Sequence, residues 1–310
     1  MNVVQTDNLT KVYGTVRALD GVSLAVPEGS VFGFLGPNGA GKTTMLRILL
    51  GLARPSSGSA AIFGRDTTTE RDAVHARVGF LPDVPGFYPW MTGEEFMRFA
   101  GSLFGIPRQQ LDQRTEALLD MAGLAGNRNP VGGYSRGMKQ RLGIAQALIN
   151  APDLLILDEP TSALDPLGRA DVLQMIASLR GRTTVLFSSH LLGDVERICD
   201  QVAVLHHGRL VVQGSVDDIR RSHGGSTTVR IAVTDGVAAL IAAVEAEPWA
   251  VRHTPVARDD QAIDVVVSDL DAARQALPGL IAGLGLGLRR FDELEVSLEE
   301  VFVDLVGVNR

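Results

Sequence analysis

The sequence is poor in several features that define whole classes of protein. Cys199 is the only cysteine, so no intrachain disulfide can form, which fits a reducing compartment. No uninterrupted apolar stretch reaches the roughly 18 residues that a membrane-spanning helix needs. The first ten residues, MNVVQTDNLT, have neither a basic segment nor an apolar core, so we expect no signal peptide. These absences argue against a disulfide scaffold and against a chain that itself crosses a membrane.

The chain also lacks a basic excess. Its net charge is −7, and residues 226–310 carry all of it, with 7 Lys+Arg and 14 Asp+Glu, which leaves 22 residues of each sign in the first 225. Neither part has the basic surface that binds nucleic acid or anionic lipid, so we expect no nucleic-acid partner. The charge break beside the glycine pair 224–225 predicts a domain boundary, with one domain over 1–222 and another over 226–310.

The first strong motif is a glycine-rich loop. The apolar run at 31–35 predicts a buried strand, the loop follows it directly, and a helix marked by Met45, Ile48, Leu49 and Leu52 comes next. This context suits the phosphate-binding pattern GxxxxGK[ST], since loop N–H groups and a helix N-terminus surround phosphates with donors. An accidental glycine turn is the alternative. The predicted nucleotide-binding residues of the loop are Gly36, Pro37, Asn38, Gly39, Ala40, Gly41, Lys42, Thr43 and Thr44.

Two of these side chains have predicted chemical roles. Lys42 is expected to reach the β- and γ-phosphates, and the Thr43 hydroxyl to bind Mg²⁺. A second apolar run, 154–157, predicts a strand that ends at Asp158 and Glu159, where the ligand sites of open α/β sheets lie. Asp158 suits Mg²⁺ and Glu159 suits a general base for the attacking water. A solvated strand end is the alternative for this pair.

A third strand, 183–187, runs into His190. A lone histidine is more often structural, but this one follows a strand of the same predicted sheet and could donate to a phosphate oxygen. Between these elements, Ser135 and Gly137 precede a helix-like run that stops before Pro152, so both are predicted to lie at a helix N-terminus, another anion site.

At this point the chain resembles the ATP-binding cassette family, over roughly residues 2–220. The resemblance assigns Lys42 and Thr43 to the Walker A motif, and Asp158 and Glu159 to Walker B and the catalytic glutamate. The segment YSRGM matches the signature motif LSGGQ, SALD matches the D-loop, and His190 matches the switch histidine. Through the same resemblance Tyr13 becomes the aromatic residue that stacks on adenine, although a half-buried packing tyrosine is the alternative.

The resemblance implies a fold, an activity and partners. It implies an α/β P-loop NTPase cassette with a helical subdomain at about 84–150, and ATP and Mg²⁺ as cofactors. Two ATP-binding subunits, taken as a homodimer, would face each other head to tail, so that the Ser135 and Gly137 of one act on the ATP of the other. Hydrolysis would drive a separate membrane-spanning permease, which places the chain on the cytoplasmic face of the membrane as a peripheral subunit.

Three positions depart from the family pattern. Arg136 and Met138 replace a glycine and a glutamine of the signature, but Ser135 and Gly137 are kept, so we expect a competent site. Asp83 stands where the family usually has glutamine. It is a candidate Mg²⁺ contact, with a solvated turn aspartate as the alternative.

Aromatic residues are scarce, yet six of the 16 lie within 18 residues. In the family this region starts the helical subdomain and forms a groove for the membrane subunit. The spacing predicts that Phe96 and Phe99 belong to the subdomain core, whereas aromatics in the loop PGFYPW more often face a partner. The six residues are Phe87, Tyr88, Trp90, Phe96, Phe99 and Phe104.

The tail predicts a small C-terminal α+β domain. Strands are expected at 227–233, 262–267 and 287–291, helices at 236–247 and 270–284, and a last helix with a capping box at 297–300 and an apolar face that includes Leu298, Val301, Phe302 and Leu305. No catalytic set is evident in it. The ending SLEEVF and the Leu-Pro-acid loop at 81–83 resemble the ATPases of ABC-2-type exporters, including drug and antibiotic exporters.

Export is therefore the expected function, and the ATPase of an importer with a regulatory C-terminal domain is the alternative. A DNA-repair ABC protein would need inserted coiled coils, and a translation factor would need a second phosphate loop. A binding module without chemistry is disfavoured, because Lys42, Asp158, Glu159 and His190 are all present. Cargo contacts belong to the membrane subunit, so the sequence does not identify the cargo.

Overall fold

The computed structural model describes residues 1–223, 227–256, 259–294, 298, 301 and 302. The chain divides into two compact units, Met1–Val216 and Asp217–Arg310. The limits expected from the sequence, 1–222 and 226–310, stay a prediction. We call the first unit the cassette and the second the tail.

The cassette contains two sheets and a set of helices. Its strands are β1 (Asn2–Tyr13), β2 (Val16–Val22), β3 (Ala25–Pro27), β4 (Val31–Leu35), β5 (Ser57–Ile62), β6 (Arg65–Asp66), β7 (Val78–Leu81), β8 (Leu154–Asp158), β9 (Thr184–Ser189), β10 (Gln201–His206) and β11 (Arg209–Ser215). Its helices are α1 (Lys42–Leu49), α2 (Arg71–His75), α3 (Gly93–Ser102), α4 (Arg108–Met121), α5 (Arg136–Ala147), α6 (Pro166–Ala177) and α7 (Leu192–Ile198), with a 3₁₀ turn at Val131–Gly133.

The sheet that positions the site has the order β11-β10-β4-β9-β8-β7. Its strands are parallel except β11, which pairs antiparallel with β10. β4, β8 and β9 are buried along their whole length, as expected for strands covered on both faces. The carboxyl ends of β4, β8 and β9 therefore meet at one edge, where polar residues follow each strand.

The second sheet of the cassette is antiparallel, with the order β2-β1-β5-β6 and β3 paired to β1. Apolar side chains of this sheet, of α1 and of the parallel sheet form one buried cluster. This core fixes the base of the phosphate loop, because β4 and α1, which flank the loop, both belong to it.

Two expectations for cassette residues are wrong. Leu52 lies outside α1 and is 63% exposed, because the helix ends at Leu49 and Gly51 turns into the left-handed region at φ 64°. Phe96 is buried as expected, but Phe99 is 37% exposed. A residue three positions on is rotated about 60° around a helix, which places Phe99 at the margin of the buried face.

The tail folds as β-α-β-β-α-β after a helix that begins at the division. Its elements are α8 (Val216–His223), β12 (Thr227–Val233), α9 (Val237–Glu245), β13 (Ala250–Val256), β14 (Asp259–Val267), α10 (Leu270–Gly283) and β15 (Leu288–Leu294). The antiparallel sheet has the order β13-β14-β12-β15, a ferredoxin-like arrangement. Alternate residues of its strands form an apolar core with α9 and α10. The structure thus confirms an α/β cassette with an α+β tail.

Sequence patterns located most of the tail's elements. The strand β13 was missed, because its residues AVRHTPV are mostly exposed and do not alternate between apolar and polar. In the expected last helix, residues 298, 301 and 302 are helical and Leu298 and Val301 are buried. The capping residues Ser297 and Glu300, and Leu305, lie outside the described residues.

Candidate nucleotide site

The phosphate loop joins β4 to α1 with very little room for side chains. A Cβ on Gly36 would lie 2.3 Å from the carbonyl oxygen of Leu205, and one on Gly41 would lie 2.4 Å from that of Ala18. Gly41 also has φ 110°, a conformation that side chains rarely adopt. Both glycines are therefore required by close packing of the loop backbone.

Lys42 is the first residue of α1, and its side chain is only 6% exposed. Its ammonium donates to the carbonyls of Gly36 (2.6 Å) and Pro37 (3.3 Å). It also lies 3.1 Å from Oε1 of Glu159, in an ion pair without the alignment of a hydrogen bond. A buried cation is thus held at the centre of the loop by two carbonyls and one carboxylate.

Asp158 ends β8 and is buried. Its Oδ1 accepts hydrogen bonds from the hydroxyls of Ser188 (2.6 Å) and, at the limit of that contact, Thr43 (3.5 Å). Burial raises the pKa of this carboxyl, and the charges of Glu159 and Asp83 add to the rise, while the two hydroxyl donors oppose it. Because burial and neighbouring carboxylates disfavour the ionised form of Asp158, a bound cation would be stabilised here.

Glu159 connects two of the predicted residues. Its backbone is in the left-handed region at φ 48°, and its N–H donates to the Ser188 hydroxyl (3.0 Å). Its Oε2 lies 2.8 Å from Nδ1 of His190, while Oε1 faces Lys42. Such a backbone conformation is rare for glutamate and recurs at functional sites. The structure therefore brings Lys42, Glu159 and His190 into one chain of contacts.

Asp83 is exposed and faces the same site from the segment after β7. Its Oδ1 accepts a hydrogen bond from the Ser162 hydroxyl (2.8 Å), and its backbone carbonyl accepts one from the buried amide of Gln140 (3.3 Å). Ser162 lies in the predicted D-loop, so Asp83 links that loop to the segment leading into α3.

A buried polar cluster behind the site was not found from the sequence. Asp194, 1% exposed, accepts hydrogen bonds from the Thr161 hydroxyl (2.6 Å) and the Arg169 guanidinium (2.5 Å). Thr161 is two residues after Glu159, and Asp194 is four residues after His190. The cluster therefore ties together the two segments that carry the Glu159–His190 contact. Its one sequence signal is an acid shortly after the histidine.

Ser135 is the N-cap of α5, and its hydroxyl accepts a hydrogen bond from the Met138 N–H (3.2 Å). This confirms the expected helix N-terminus. A Cβ on Gly137 would make an ordinary van der Waals contact with the Gly168 backbone at 3.5 Å. The structure does not place Ser135 or Gly137 at the wall of the cavity around Lys42.

That cavity has a volume of about 500 Å³. Tyr13 does not line it; this residue ends β1, is 47% exposed, and has the Lys11 ammonium 4.7 Å from its ring centre. Four lining residues were missed by sequence reasoning, namely Val16, Arg17, Ala18 and His207. The lining residues are Val16, Arg17, Ala18, Pro37, Asn38, Gly39, Gly41, Lys42, Thr43, Thr44, Asp83, Glu159 and His207.

Among the residues that the structure describes, none of the helices combines the length and the apolar composition of a membrane-spanning helix. No group of three or more His, Cys, Asp or Glu side chains among the same residues could hold a metal ion by itself.

Family models match both units of the chain. A model described as ABC transporter matches residues 19–162. A model described as ATP-binding protein DrrA1-3-like, C-terminal domain, matches residues 214–306. The second match confirms the resemblance of the tail to that of exporter ATPases.

Curated relatives match over nearly the full length. The bacitracin transport ATP-binding protein BcrA of Bacillus licheniformis is 34% identical over 98% of this chain and 97% of its own. The daunorubicin/doxorubicin resistance ATP-binding protein DrrA of Streptomyces peucetius is 36% identical over 98% and 92%. The uncharacterized ABC transporter ATP-binding protein YxlF of Bacillus subtilis is 37% identical over 98% and 99%.

Solved structures match the cassette. An ATP-binding subunit of an ABC transporter is 31% identical with a TM-score of 0.65, covering 72% of this chain and 93% of its own. The dimeric post-hydrolysis state of the ATP-binding cassette MJ0796, bound to ADP and Pi, is 26% identical with a TM-score of 0.62, covering 69% and 98%. By fold, by motif geometry and by these relatives, the chain belongs to the ABC transporter ATP-binding proteins, the ATP-hydrolysing subunits of ABC transporters.

Proposed function

We propose that this subunit powers the export of a drug- or antibiotic-like substrate through a separate membrane-spanning permease. The observation that carries the proposal is the similarity, over 98% of the chain, to a bacitracin transport protein and a daunorubicin/doxorubicin resistance protein. The tail supports it, because it matches the DrrA1-3-like model. The importer alternative is not favoured by these relatives.

ATP would bind with its phosphates in the loop 36–41. Its adenine would extend beyond the cavity wall to stack on Tyr13, which is 47% exposed. The loop offers backbone N–H groups and the N-terminus of α1, and Lys42 supplies a buried cation. The phosphates would compete with Glu159 for the Lys42 ammonium. Binding would therefore release the Glu159 carboxylate from its ion pair and leave it with His190.

The residues around Asp158 fit Mg²⁺. A buried carboxylate with a raised pKa lies next to the Thr43 hydroxyl, and both are oxygen donors. Asp83 supplies a further carboxylate at the wall of the same cavity. Since the described side chains do not form a complete metal site, phosphate oxygens and water would supply the other ligands. When bound, Mg²⁺ neutralises charge on the β- and γ-phosphates.

Glu159 is the proposed general base. Its carboxylate would accept a proton as a water attacks the γ-phosphorus and the bond to the β–γ bridging oxygen breaks, giving ADP and phosphate. His190 holds Oε2 at 2.8 Å, so it fixes the direction in which the carboxylate points, and it would donate to a γ-phosphate oxygen.

Two copies of the chain would complete two sites. Ser135 and Gly137 do not line the cavity that holds Lys42, which supports their action on the ATP of a facing subunit. A similar cassette has been solved as a dimer bound to ADP and Pi. The helix N-terminus at Ser135 and the Lys42 loop would then enclose one nucleotide from both sides.

An aromatic surface in the cassette is the proposed permease contact. Trp90 is 68% exposed, and Tyr88 is in ring contact with both Trp90 (5.2 Å) and Phe99 (5.3 Å). Tyr88 and Phe99 also line a groove of about 460 Å³. Exposed aromatics next to a groove are typical of protein contacts. This contact would hold the subunit at the cytoplasmic face of the membrane.

The proposal is tested by reconstituting the subunit with its permease in inside-out vesicles. ATP outside should drive uptake of a substrate such as daunorubicin or bacitracin, and Glu159→Gln should stop uptake without preventing assembly. Uptake only in right-side-out vesicles loaded with ATP would support import and contradict the proposal.

A further inference from the structure

The hairpin that joins β10 to β11 lies against the phosphate loop. His206 pairs with Arg209, so His207 and Gly208 form a two-residue turn. Both residues have positive φ, 46° and 76°, as in the type I′ turns favoured by tightly joined strands. Asparagine, aspartate and glycine are the usual residues in such turns, whereas here an imidazole occupies the first position.

The turn is hydrogen-bonded both to the phosphate loop and to β2. The Gly208 N–H donates to the Ala40 carbonyl of the phosphate loop (3.0 Å), and the Asp20 N–H donates to the Gly208 carbonyl (2.8 Å). The Asp20 carboxylate also binds the Arg209 guanidinium (2.7 Å). A Cβ on Gly208 would lie 2.9 Å from the Ala18 carbonyl oxygen, so the turn has no space to shift toward β2. These contacts of the turn fix the backbone position of His207 in the protein without nucleotide.

The two histidines of the hairpin differ in what they face. His207 is exposed and lines the cavity around Lys42 and Thr43, as Val16 and Arg17 do. His206 does not line that cavity, although its ring centre is only 4.1 Å from that of His207. This pair provides one residue positioned for a ligand and one matched neighbour.

We infer that His207 binds the nucleotide, donating an imidazole N–H to an oxygen of its ribose–phosphate portion. The inference rests on the proposed ATP site and adds a contact from a strand that carries none of the recognised motifs. An imidazole can donate to phosphate or hydroxyl oxygens. Because Glu159 and His190 already serve the γ-phosphate, a His207 contact should be common to ATP and ADP.

Nucleotide binding by the full chain, measured by calorimetric titration with ATP and separately with ADP, tests the inference. His207→Asn keeps a residue that tolerates the left-handed turn, and His207→Gly removes the side chain altogether. Both variants should lower the affinity for ATP and for ADP by about 10-fold, the usual effect of losing one hydrogen bond to a charged group. His206→Asn should bind both nucleotides as the wild type does.

The unliganded melting temperature shows whether the turn is preserved. Equal melting temperatures with weaker binding only in the His207 variants would support the inference. Wild-type affinity in both His207 variants, or an equal loss in His206→Asn, would overturn it. The Lys42→Ala variant distinguishes failure of the His207 contact from failure of the proposed ATP site. If Lys42→Ala binds nucleotide weakly while the His207 variants bind it normally, only the His207 contact is wrong. If Lys42→Ala also binds normally, the proposed ATP site fails and this inference with it.

Discussion

The cassette and the tail differ in where their polar and charged side chains lie. The buried polar and charged residues of the described chain, Lys42, Asp158 and Asp194 among them, all lie in the cassette. In the tail the described ion pairs lie near the surface, as in the two 2.7 Å contacts between Arg230 and Asp264, and the core is apolar. Burying charge is costly, and the cassette accepts that cost where the chemistry is placed.

The largest expected difference between the units is in hydrolysis. Glu159→Gln should lower the ATPase rate by roughly 10²–10⁴-fold while ATP still binds, because a general base is lost. Arg274→Ala, which removes exposed ion pairs with Asp271 and Glu293 in the tail, should leave the rate unchanged. A Glu159→Gln protein that keeps most of its activity would remove this residue from the role of base.

The next difference is in stability. Asp194→Ala should lower the free energy of unfolding of the cassette by about 2–3 kcal/mol, because the Thr161 hydroxyl and the Arg169 guanidinium lose their buried acceptor. Asp264→Ala should lower that of the tail by about 1 kcal/mol or less, since its pair is partly solvated. Urea unfolding followed by circular dichroism measures the loss in each variant, and the fluorescence of the buried Trp249 identifies the transition of the tail. Equal losses would contradict the distinction.

The smallest expected difference is in the effect of a carboxylate on folding stability, which should have opposite signs in the cassette and in the tail. The pKa of Asp158 is raised in the folded state, so the stability linked to it is present below its ordinary value of 3.8 and is lost as pH rises through the folded pKa. Above that folded-state pKa the ionised Asp158 opposes folding. Asp158→Asn should raise the melting temperature of the nucleotide-free cassette and flatten its fall with pH, while hydrolysis is lost.

In the tail an Asp→Asn substitution should change the melting temperature in the opposite direction. Asp264→Asn removes a carboxylate that holds Arg230 through two bonds, so it should slightly lower the melting temperature. Calorimetry at pH 5 and pH 7 tests both variants. A lower melting temperature for Asp158→Asn at pH 7 would show that its carboxylate is stabilised rather than strained by the site.

Local patterns predicted the residues that lie next to each other in sequence. Lys42, Asp158 and Glu159 were found because a buried strand and the loop after it form one continuous signal. His207 and Asp194 were missed because their positions depend on which elements are neighbours. β10 reaches the phosphate loop only because it pairs with β4, and no spacing within β10 encodes that pairing.

The same limit explains the remaining misses. The contact of Asp83 with Ser162 joins residues 79 positions apart, and it depends on the order of β7 and β8 in the sheet. Phe99 was expected in the core because helical spacing gives the side of a helix but not the width of its buried face.

We propose that two copies of this chain enclose ATP between Lys42 of one and Ser135 of the other. Sedimentation of the Glu159→Gln protein, with and without ATP and Mg²⁺, would detect this dimer, because slow hydrolysis preserves the closed state. We expect a monomer or weak dimer without nucleotide, a dimer with ATP, and no ATP-dependent dimer when Ser135→Arg is added. A sedimentation coefficient that saturating ATP leaves at the monomer value would contradict it.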